Sequence, residues 1–199
     1  MDILKYAFIL IGGYLLGSVS FSIIFSRARG RDVREQGSGN AGATNMARAF
    51  GLGAGFLTLA GDFLKAVIVM AVGWALAGDW GLAAGGAACI TGHCFPVFYH
   101  FRGGKGISVG AAIGLMIDWR VFVGIVAVFL IGAVLTKKAS FGSLCAAVAI
   151  VALALIFAVP LPKLLLAIYA AALALFQHRA NLKRLSEGTE PDFKAAKPK

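Results

Sequence analysis

Residues 36–48 read QGSGNAGATNMAR, a polar interval that separates two apolar stretches, residues 3–26 and 50–77. Each of those stretches is long enough to cross a bilayer, which takes roughly 20 apolar residues. The same alternation continues along the chain, with further apolar runs at residues 82–99, 107–117, 121–135, 141–159 and 163–176. The pattern predicts an all-α, polytopic membrane bundle of about seven transmembrane helices, in which residues 107–117 form either a short span or a half-span.

The composition agrees with a membrane protein. Of the 199 residues, 59% are hydrophobic and 14% are charged, whereas soluble domains carry about 25% charged residues. The apolar runs occupy most of the length, so we expect one transmembrane domain at residues 1–190 and a basic tail at 191–199. Cys89, Cys94 and Cys145 lie in apolar runs without metal-like spacing, and we interpret them as small buried hydrophobic residues.

The basic residues predict the orientation of the chain. If the N-terminus lies outside, the cytoplasmic turns contain all of the 19 basic residues except Lys5, Lys65, Arg120 and Lys163. The positive-inside rule then puts the C-terminus and the three long polar intervals, residues 36–48, 92–106 and 178–190, on the cytoplasmic face. The net charge of +10 therefore reports orientation and does not indicate nucleic-acid binding.

The first apolar run is expected to remain in the protein. A cleavable signal peptide carries its basic residues before the apolar segment. Here the basic cluster at residues 27–31 follows that segment. The arrangement favours a retained first helix.

The first polar interval has the composition of an anion-binding loop. Its glycines Gly37, Gly39 and Gly42 let backbone N–H groups approach a ligand closely. Further donors are offered by Ser38, Asn40, Thr44, Asn45 and Arg48. The arginine is a planar fork suited to phosphate oxygens. The alternative is a polar connector between two membrane helices. A nucleotide P-loop is excluded, because its Gly-x-x-x-x-Gly-Lys-Ser/Thr pattern does not occur.

The other two intervals add cations and histidines. Lys105 lies within Gly103-Gly104-Lys105-Gly106, where an apolar helix begins, and a helix N-terminus with a lysine favours anions. The third interval contributes His178, Arg179 and Arg184. This inventory suits more than one phosphate group. We consider His93, His100 and His178 as proton-transfer candidates, although His93 also fits a hydrogen-bonded core position and His100 an interfacial one.

Two charged residues fall inside an apolar run. Asp62 and Lys65 are three residues apart and therefore share a helix face. Intramembrane charges usually pair with one another or serve function, so we expect an ion pair and keep a direct substrate role as the alternative.

Several common catalytic motifs are absent from the sequence. It contains no Gly-x-Ser-x-Gly elbow, no His-Glu-x-x-His zinc helix and no histidine with an aspartate five residues later. Paired acidic residues that would hold Mg²⁺ on a diphosphate are missing, which disfavours a metal-dependent phosphotransferase. We expect neither a metal nor a cofactor.

Three motifs resemble those of one enzyme family. They are GSGNAGATN at 37–45 followed by Arg48, GHCFPVF at 92–98 with GGKG at 103–106, and HRANLKRLSEGTE at 178–190. In length, helix number and motif order, the whole chain resembles the bacterial acyl-phosphate:glycerol-3-phosphate acyltransferases. Arg102 is a mild departure, since lysine is expected more often there.

The resemblance implies a function and a location. The family transfers a fatty acyl group from acyl phosphate to the 1-hydroxyl of sn-glycerol 3-phosphate, which gives lysophosphatidic acid and phosphate and begins phospholipid synthesis. It implies a multi-pass protein of the bacterial inner membrane with its active site at the cytoplasmic face. Expected partners are the two substrates, the lipid bilayer and an upstream enzyme that forms acyl phosphate. The oligomeric state stays open.

The resemblance and the residue inventory together suggest roles. We expect His178, Lys105, Arg48 and Asn181 to be catalytic and to hold glycerol 3-phosphate. The remaining substrate-binding candidates are Gly37, Ser38, Gly39, Asn40, Gly42, Thr44, Asn45, His93, Gly103, Gly104, Ser140, Ser143, Arg184 and Glu190. Acyl phosphate is a mixed anhydride with a good leaving group, so no acyl-enzyme is required. Either His178 or a substrate phosphate oxygen could take the proton.

A transporter of a phosphorylated solute is the alternative from another class. It would use the same basic cytoplasmic mouth but would need a polar path through the bundle. Apart from Asp62 and Lys65 the spans offer no such path. A purely structural scaffold would not need three intervals rich in glycine and cations.

Overall fold

The computed structural model describes residues 2–194 and 196, and every regular element in that part of the chain is helical. The α-helices are α1 (Asp2–Gly17), α2 (Phe21–Arg27), α3 (Ala43–Phe50), α4 (Leu52–Cys94), α5 (Ile107–Ile117), α6 (Trp119–Thr136), α7 (Ala139–Ile156), α8 (Leu161–Gln177) and α9 (Arg179–Ser186). Short 3₁₀ turns occupy Val33–Glu35 and Val97–Tyr99. The all-α prediction is confirmed for these residues.

Four helical segments are long and apolar enough to cross a membrane within the described residues: Asp2–Arg27, Leu52–Tyr99, Trp119–Thr136 and Ala139–Ile156. The pair α8 and α9, bent by 58°, makes a fifth if it is counted as one span. Helix α5 matches its predicted limits and has only 11 residues, which is about 16 Å. Its length is about half of the roughly 30 Å hydrocarbon core.

Helix α4 reverses direction at Ala77 and Gly78. Both residues have non-helical torsions, and Gly78 has a φ of +60°, which suits glycine. A Cβ on Gly73 would overlap the carbonyl of Gly81, although eight residues of straight helix would separate them by about 12 Å. The element is therefore an antiparallel hairpin of two helices, as the sequence predicted. Its turn lies at Ala77–Gly78, one residue earlier than the predicted turn at 78–81.

The first predicted helix, residues 3–26, is broken between α1 and α2. The break exposes the carbonyls of Gly17 and Val19, and the buried Lys65 ammonium donates to both, at 3.0 and 2.5 Å. Ser18 assists by accepting from Val97 N–H at 3.3 Å. An apolar pattern alone cannot reveal this break, because the groups that stabilise it come from α4 and the segment after it.

The first polar interval is only partly a loop. Residues 43–48, which we expected to be irregular, belong to α3, so Arg48 lies in the last turn of a helix. Ala47 packs closely on α4, where a Cβ on Gly55 would overlap it. This close packing stabilises a helix that a short polar sequence does not predict.

The remaining helices complete the bundle core. Helices α6 and α7 form a second hairpin in which Gly132 and Gly142 are in contact. Helix α7 begins at Ala139 and α8 at Leu161, each two residues before the predicted position. The buried core draws side chains from α4, α5, α6, α7 and α8.

The predicted tail at 191–199 lies partly outside the described residues, which omit Ala195 and 197–199. The described part contacts the rest of the fold. Phe193 N–H donates to the Lys137 carbonyl at 2.8 Å, and Lys138 pairs with Asp192 at 3.1 Å. Residues 191–194 are therefore packed against the turn between α6 and α7.

Candidate active site

A cavity of about 680 Å³ lies within the bundle and is lined by residues of helices α3 to α9 and of the segment before α3. One end is polar, and most of the predicted site residues line it: Ser38, Asn40, Gly42, Thr44, Asn45, Arg48, His93, Lys105, Ser140, Ser143, His178, Asn181 and Glu190. The predicted residues that do not line it are Gly37, Gly39, Gly103, Gly104 and Arg184. The structure thus brings residues from all three polar intervals to one place.

Asn45 organises the first interval. Its side-chain NH₂ donates to the carbonyls of Val33, Gln36 and Asn40 at 2.9–3.1 Å. Its Oδ1 accepts from the backbone N–H of Ser38 at 2.9 Å, and the residue is 1% exposed. The Asn45 side chain is therefore engaged in holding the loop, while Ser38 and Asn40 line the cavity.

The glycines of the second interval let the chain pass close to His93. A Cβ on Gly103 would overlap the His93 carbonyl, and one on Gly104 would overlap the imidazole Nε2. Gly104 N–H also donates to that carbonyl at 3.0 Å. Gly103 and Gly104 therefore act through packing, and they direct Lys105 into the cavity.

Lys105 is linked to the third interval by a chain of hydrogen bonds. Its ammonium donates to Asn181 Oδ1, and Asn181 Nδ2 donates to Glu190 Oε1 at 2.7 Å. The other carboxylate oxygen of Glu190 accepts from Arg184 Nε at 2.7 Å. Lys138, which our sequence reasoning did not single out, donates to the Glu190 backbone carbonyl at 2.9 Å. The chain fixes two predicted catalytic side chains relative to each other.

The electrostatics of this chain are set by burial and by neighbouring charges. Burial lowers the pKa of Lys105 to about 8, and the positive charge of Arg184 acts in the same direction. Burial opposes the charge of Glu190, but the Ser140 hydroxyl and the hydrogen bonds from Asn181 and Arg184 outweigh it and hold the pKa of that carboxyl below its usual value. The buried Lys105 ammonium would be stabilised by a bound phosphate, because the negative charge offsets the cost of burying the positive one.

His178 lines the cavity, and one of its ring nitrogens carries a lone pair that can accept a hydrogen bond. Its Nδ1 lies 2.8 Å from the Ala174 carbonyl, which can only accept, so we assign the proton to Nδ1 and leave Nε2 unprotonated. Burial lowers the pKa of this imidazole to about 4. At neutral pH, His178 is therefore an uncharged acceptor with a fixed orientation.

The two serines of α7 differ. Ser143 donates to the Ala139 carbonyl at 2.9 Å. The Ser140 hydroxyl oxygen is buried and lies beside Glu190, close enough to lower the pKa of that carboxyl, but its geometry completes no hydrogen bond within the described residues. Ser140 is therefore the better placed of the two to bond a ligand.

Arg48 faces the segment that follows α9. Its guanidinium lies 3.5 Å from the Pro191 carbonyl and 5.9 Å from the centroid of the Phe193 ring. Arg179 and His100 are both exposed and do not line the cavity. Of these cationic and histidine candidates, the structure brings only Arg48 to the polar end.

The expected ion pair inside the membrane is confirmed. Lys65 Nζ lies 2.7 Å from Asp62 Oδ1 and 3.3 Å from His93 Nδ1, and all three residues are at most 5% exposed. The sequence did not reveal that His93 joins this pair. His93 thus connects the buried charges to the cavity wall.

The second part of the cavity is an apolar arm, which our sequence reasoning did not locate. It is lined by Phe56, Leu59, Ala60, Phe63, Leu64, Gly110, Ala111, Phe122, Ile125, Val126, Phe129, Leu130, Ala146, Ala147, Ile150, Ala170, Ala171 and Ala174. The lining comes from α4, α5, α6, α7 and α8. The combination of a cationic end and an apolar arm suits an amphiphile with an anionic head.

The family model described as glycerol-3-phosphate acyltransferase matches residues 7–188. The chain belongs to this family. The resemblance drawn from the three polar intervals is thereby confirmed. Two similar curated proteins, both named glycerol-3-phosphate acyltransferase, come from Rubrobacter xylanophilus and Shouchella clausii. The first is 41% identical over 182 residues, covering 91% of this chain and 92% of the relative. The second is 45% identical over 188 residues, covering 89% and 91%.

Solved structures are similar as well. One is the crystal structure of PlsY (YgiH), an integral membrane glycerol 3-phosphate acyltransferase, in its glycerol 3-phosphate form. It has a TM-score of 0.91 and 34% identity and covers 95% of this chain and 96% of that one. The lysophosphatidic acid form of PlsY has a TM-score of 0.89 and 33% identity, and covers 95% of each chain. The chain therefore has the fold of an integral membrane protein.

Proposed function

We propose that this protein is a membrane glycerol-3-phosphate 1-O-acyltransferase that uses acyl phosphate as its donor and forms lysophosphatidic acid and phosphate. The observation that carries the proposal is the single cavity in which a cationic end, with Lys105 and Arg48, continues into an apolar arm. Phosphate groups fit the first and a fatty chain fits the second. Membership of the family and the names of the solved relatives support the same reaction.

The proposal includes seven membrane crossings with the N-terminus outside. The polar end draws on residues 38–48, 93–105, 139–143 and 178–190. Each of these four segments is joined to the next by two helices, one leading away from the polar end and one leading back to it. The pairs are the two halves of α4, then α5 with α6, then α7 with α8. With α1 and α2 as the first crossing, the site and the C-terminus lie on one side, which the basic residues mark as cytoplasmic.

The two phosphates are assigned to different parts of the polar end. The loop of residues 38–44, with Ser38, Asn40 and the N-terminus of α3, cradles the acyl phosphate. Lys105 and Arg48 hold the phosphate of glycerol 3-phosphate, and Ser140 offers its free hydroxyl. The fatty chain lies in the apolar arm and enters it sideways from the lipid.

Transfer proceeds by direct attack. The glycerol 1-hydroxyl oxygen forms a bond to the acyl carbonyl carbon, the carbon–oxygen bond to phosphate breaks, and phosphate leaves with the electron pair. His178 Nε2, or an oxygen of a substrate phosphate, accepts the hydroxyl proton. The protein contributes positioning of the two reactants and positive charge near the developing negative oxygen.

The proposed location is the inner membrane of a bacterium, with the mouth of the site at the cytoplasmic surface. Glycerol 3-phosphate reaches it from solution. An upstream enzyme that forms acyl phosphate supplies the donor, which cannot leave the bilayer readily because its chain is apolar.

The test is a donor comparison with purified protein in detergent and labelled glycerol 3-phosphate, without added Mg²⁺. Palmitoyl phosphate is supplied in one arm and palmitoyl-CoA in the other. We expect lysophosphatidic acid from the phosphate donor alone. Product from palmitoyl-CoA alone would overturn the donor assignment, and no product from either would return transport of a phosphorylated solute, assayed in sealed vesicles, to first place.

A further inference from the structure

The apolar arm ends at a defined depth within the bundle. Starting from Ser140 at the polar end, α7 lines the arm as far as Ile150, about 15 Å along the helix axis. Starting from His178, α8 lines it as far as Ala170, about 12 Å along that axis. Helix α6 runs the opposite way and lines the arm as far as Phe122, about 21 Å along its axis from Thr136. The arm therefore reaches between about half and about two thirds of the way through the ~30 Å hydrocarbon core.

Two aromatic rings meet at the inner end of the arm. Phe63 of α4 and Phe122 of α6 both line the cavity, and their ring centroids lie 5.9 Å apart with the planes inclined by 59°. Beyond them α5 and α6 pack closely, since Val121 is 0% exposed, Ile117 is 5% exposed, and a Cβ on Gly114 would lie 3.4 Å from Phe122 Cα. The ring pair therefore stands between the open arm and the closed core.

The side of the arm facing lipid is open above these rings. Phe56, Leu59, Leu64 and Leu130 line the arm and are nevertheless 69%, 44%, 56% and 52% exposed. In a membrane protein such residues contact acyl tails. A fatty chain can thus move laterally from the bilayer into the arm without its methylene groups crossing water.

We propose that the Phe63–Phe122 pair is the floor of the acyl groove and sets the longest acyl chain that the site accepts in an extended form. The inference rests on the proposed function. A chain longer than the arm must bend at the rings and leave through the lateral opening, or else pull its carbonyl carbon away from Lys105. Displacement of a reacting atom by about 1 Å can cost about 100-fold in rate, so the pair discriminates by length.

The experiment measures kcat/KM for saturated acyl phosphates that differ by two carbons, with purified wild-type protein in detergent. Phe122→Ala and Phe63→Ala each remove one ring and deepen the arm. Because each additional buried methylene contributes about 4-fold, we expect the donor two carbons longer than the wild-type optimum to gain about 15-fold relative to that optimum. Using both variants keeps the test available if one of them does not fold.

A variant with the opposite effect strengthens the test. Ala147 is 7% exposed and lines the arm about 10 Å beyond Ser140. Ala147→Leu fills the arm at that level, so we expect the optimum to move to shorter chains. Phe8→Ala is the matched control, because Phe8 is a 63% exposed phenylalanine on α1 that does not line the cavity, and its chain-length profile should equal that of the wild type.

The outcomes separate the two proposals. If the wild type forms no lysophosphatidic acid from any acyl phosphate, the proposed function fails. If the wild type is active and the floor variants keep its optimum, with rates unchanged or uniformly lower, the proposed function stands and the floor assignment is overturned.

Discussion

Lys105 sets the alkaline limit of the proposed reaction. Burial and the nearby Arg184 lower the pKa of Lys105 from 10.5 to about 8, so its ammonium is lost as the pH rises through 8. The ammonium is the form that binds phosphate. We therefore expect kcat/KM to be retained below pH 8 and to fall about tenfold per pH unit above it. Bound phosphate stabilises the ammonium, so kcat should fall only at a higher pH.

Two substitutions test how much the charge of Lys105 contributes to kcat/KM. Lys105→Arg keeps a cation that does not titrate in this range, so the alkaline decline should disappear even if the rate is lower. Lys105→Met removes the cation, and loss of one preorganised charged donor should lower kcat/KM about 100- to 1,000-fold at pH 7. Lys183→Met is the control, because the Lys183 side chain is 76% exposed and its ammonium lies 3.9 Å from the Glu187 carboxylate.

The assay follows the formation of lysophosphatidic acid between pH 6 and pH 10, in detergent and corrected for uncatalysed hydrolysis of the donor. The pKa of His178, which burial lowers to about 4, adds no change in this range. A kcat/KM that stays level through pH 9.5 in the wild type would refute the reasoning. So would an alkaline decline that is identical in Lys105→Arg.

Three further predictions concern Glu190, Asp62 and Arg48. Glu190→Gln replaces one carboxylate oxygen by an amide NH₂ group, so either Asn181 or Arg184 loses its hydrogen-bond acceptor. We expect kcat to fall more than tenfold while the helical circular dichroism signal is kept; an unchanged kcat would contradict this. Asp62→Asn breaks a buried ion pair and should lower the free energy of unfolding by about 3–5 kcal/mol in thermal unfolding, whereas Asp62→Glu, which keeps the charge, should lower it by less; equal losses would count against the pair. Arg48→Ala should raise KM for glycerol 3-phosphate about 10- to 100-fold, and an unchanged KM would remove Arg48 from that phosphate.

The membrane class, most helices and the family could be predicted from the sequence because their signals are local. Apolar runs mark the helices that face lipid. Each of the motifs at 37–48, 103–106 and 178–190 is an unbroken stretch of sequence. The break at residues 18–20 and helix α3 could not be predicted, because Lys65 and the packing against Gly55 that stabilise them come from other parts of the chain.

The members of the site were easier to predict than their connections. Lys105, Asn181 and Glu190 could each be predicted because they are polar residues within the three polar intervals. Their order in one hydrogen-bond chain depends on how α5 and α9 meet, which no spacing in the sequence encodes. The apolar arm was missed for a related reason, since Phe63 and Phe122 look like any other lipid-facing residues until α4 and α6 are placed side by side.

The central claim is that one cavity holds both substrates for direct transfer. The most direct test is a single-turnover experiment in which excess protein is mixed with acyl phosphate, first without and then with glycerol 3-phosphate, while phosphate release and the intact protein mass are followed. We expect no burst of phosphate and no acylated protein in the first stage, and equal amounts of phosphate and lysophosphatidic acid in the second. A stoichiometric phosphate burst accompanied by acylated protein would contradict the account.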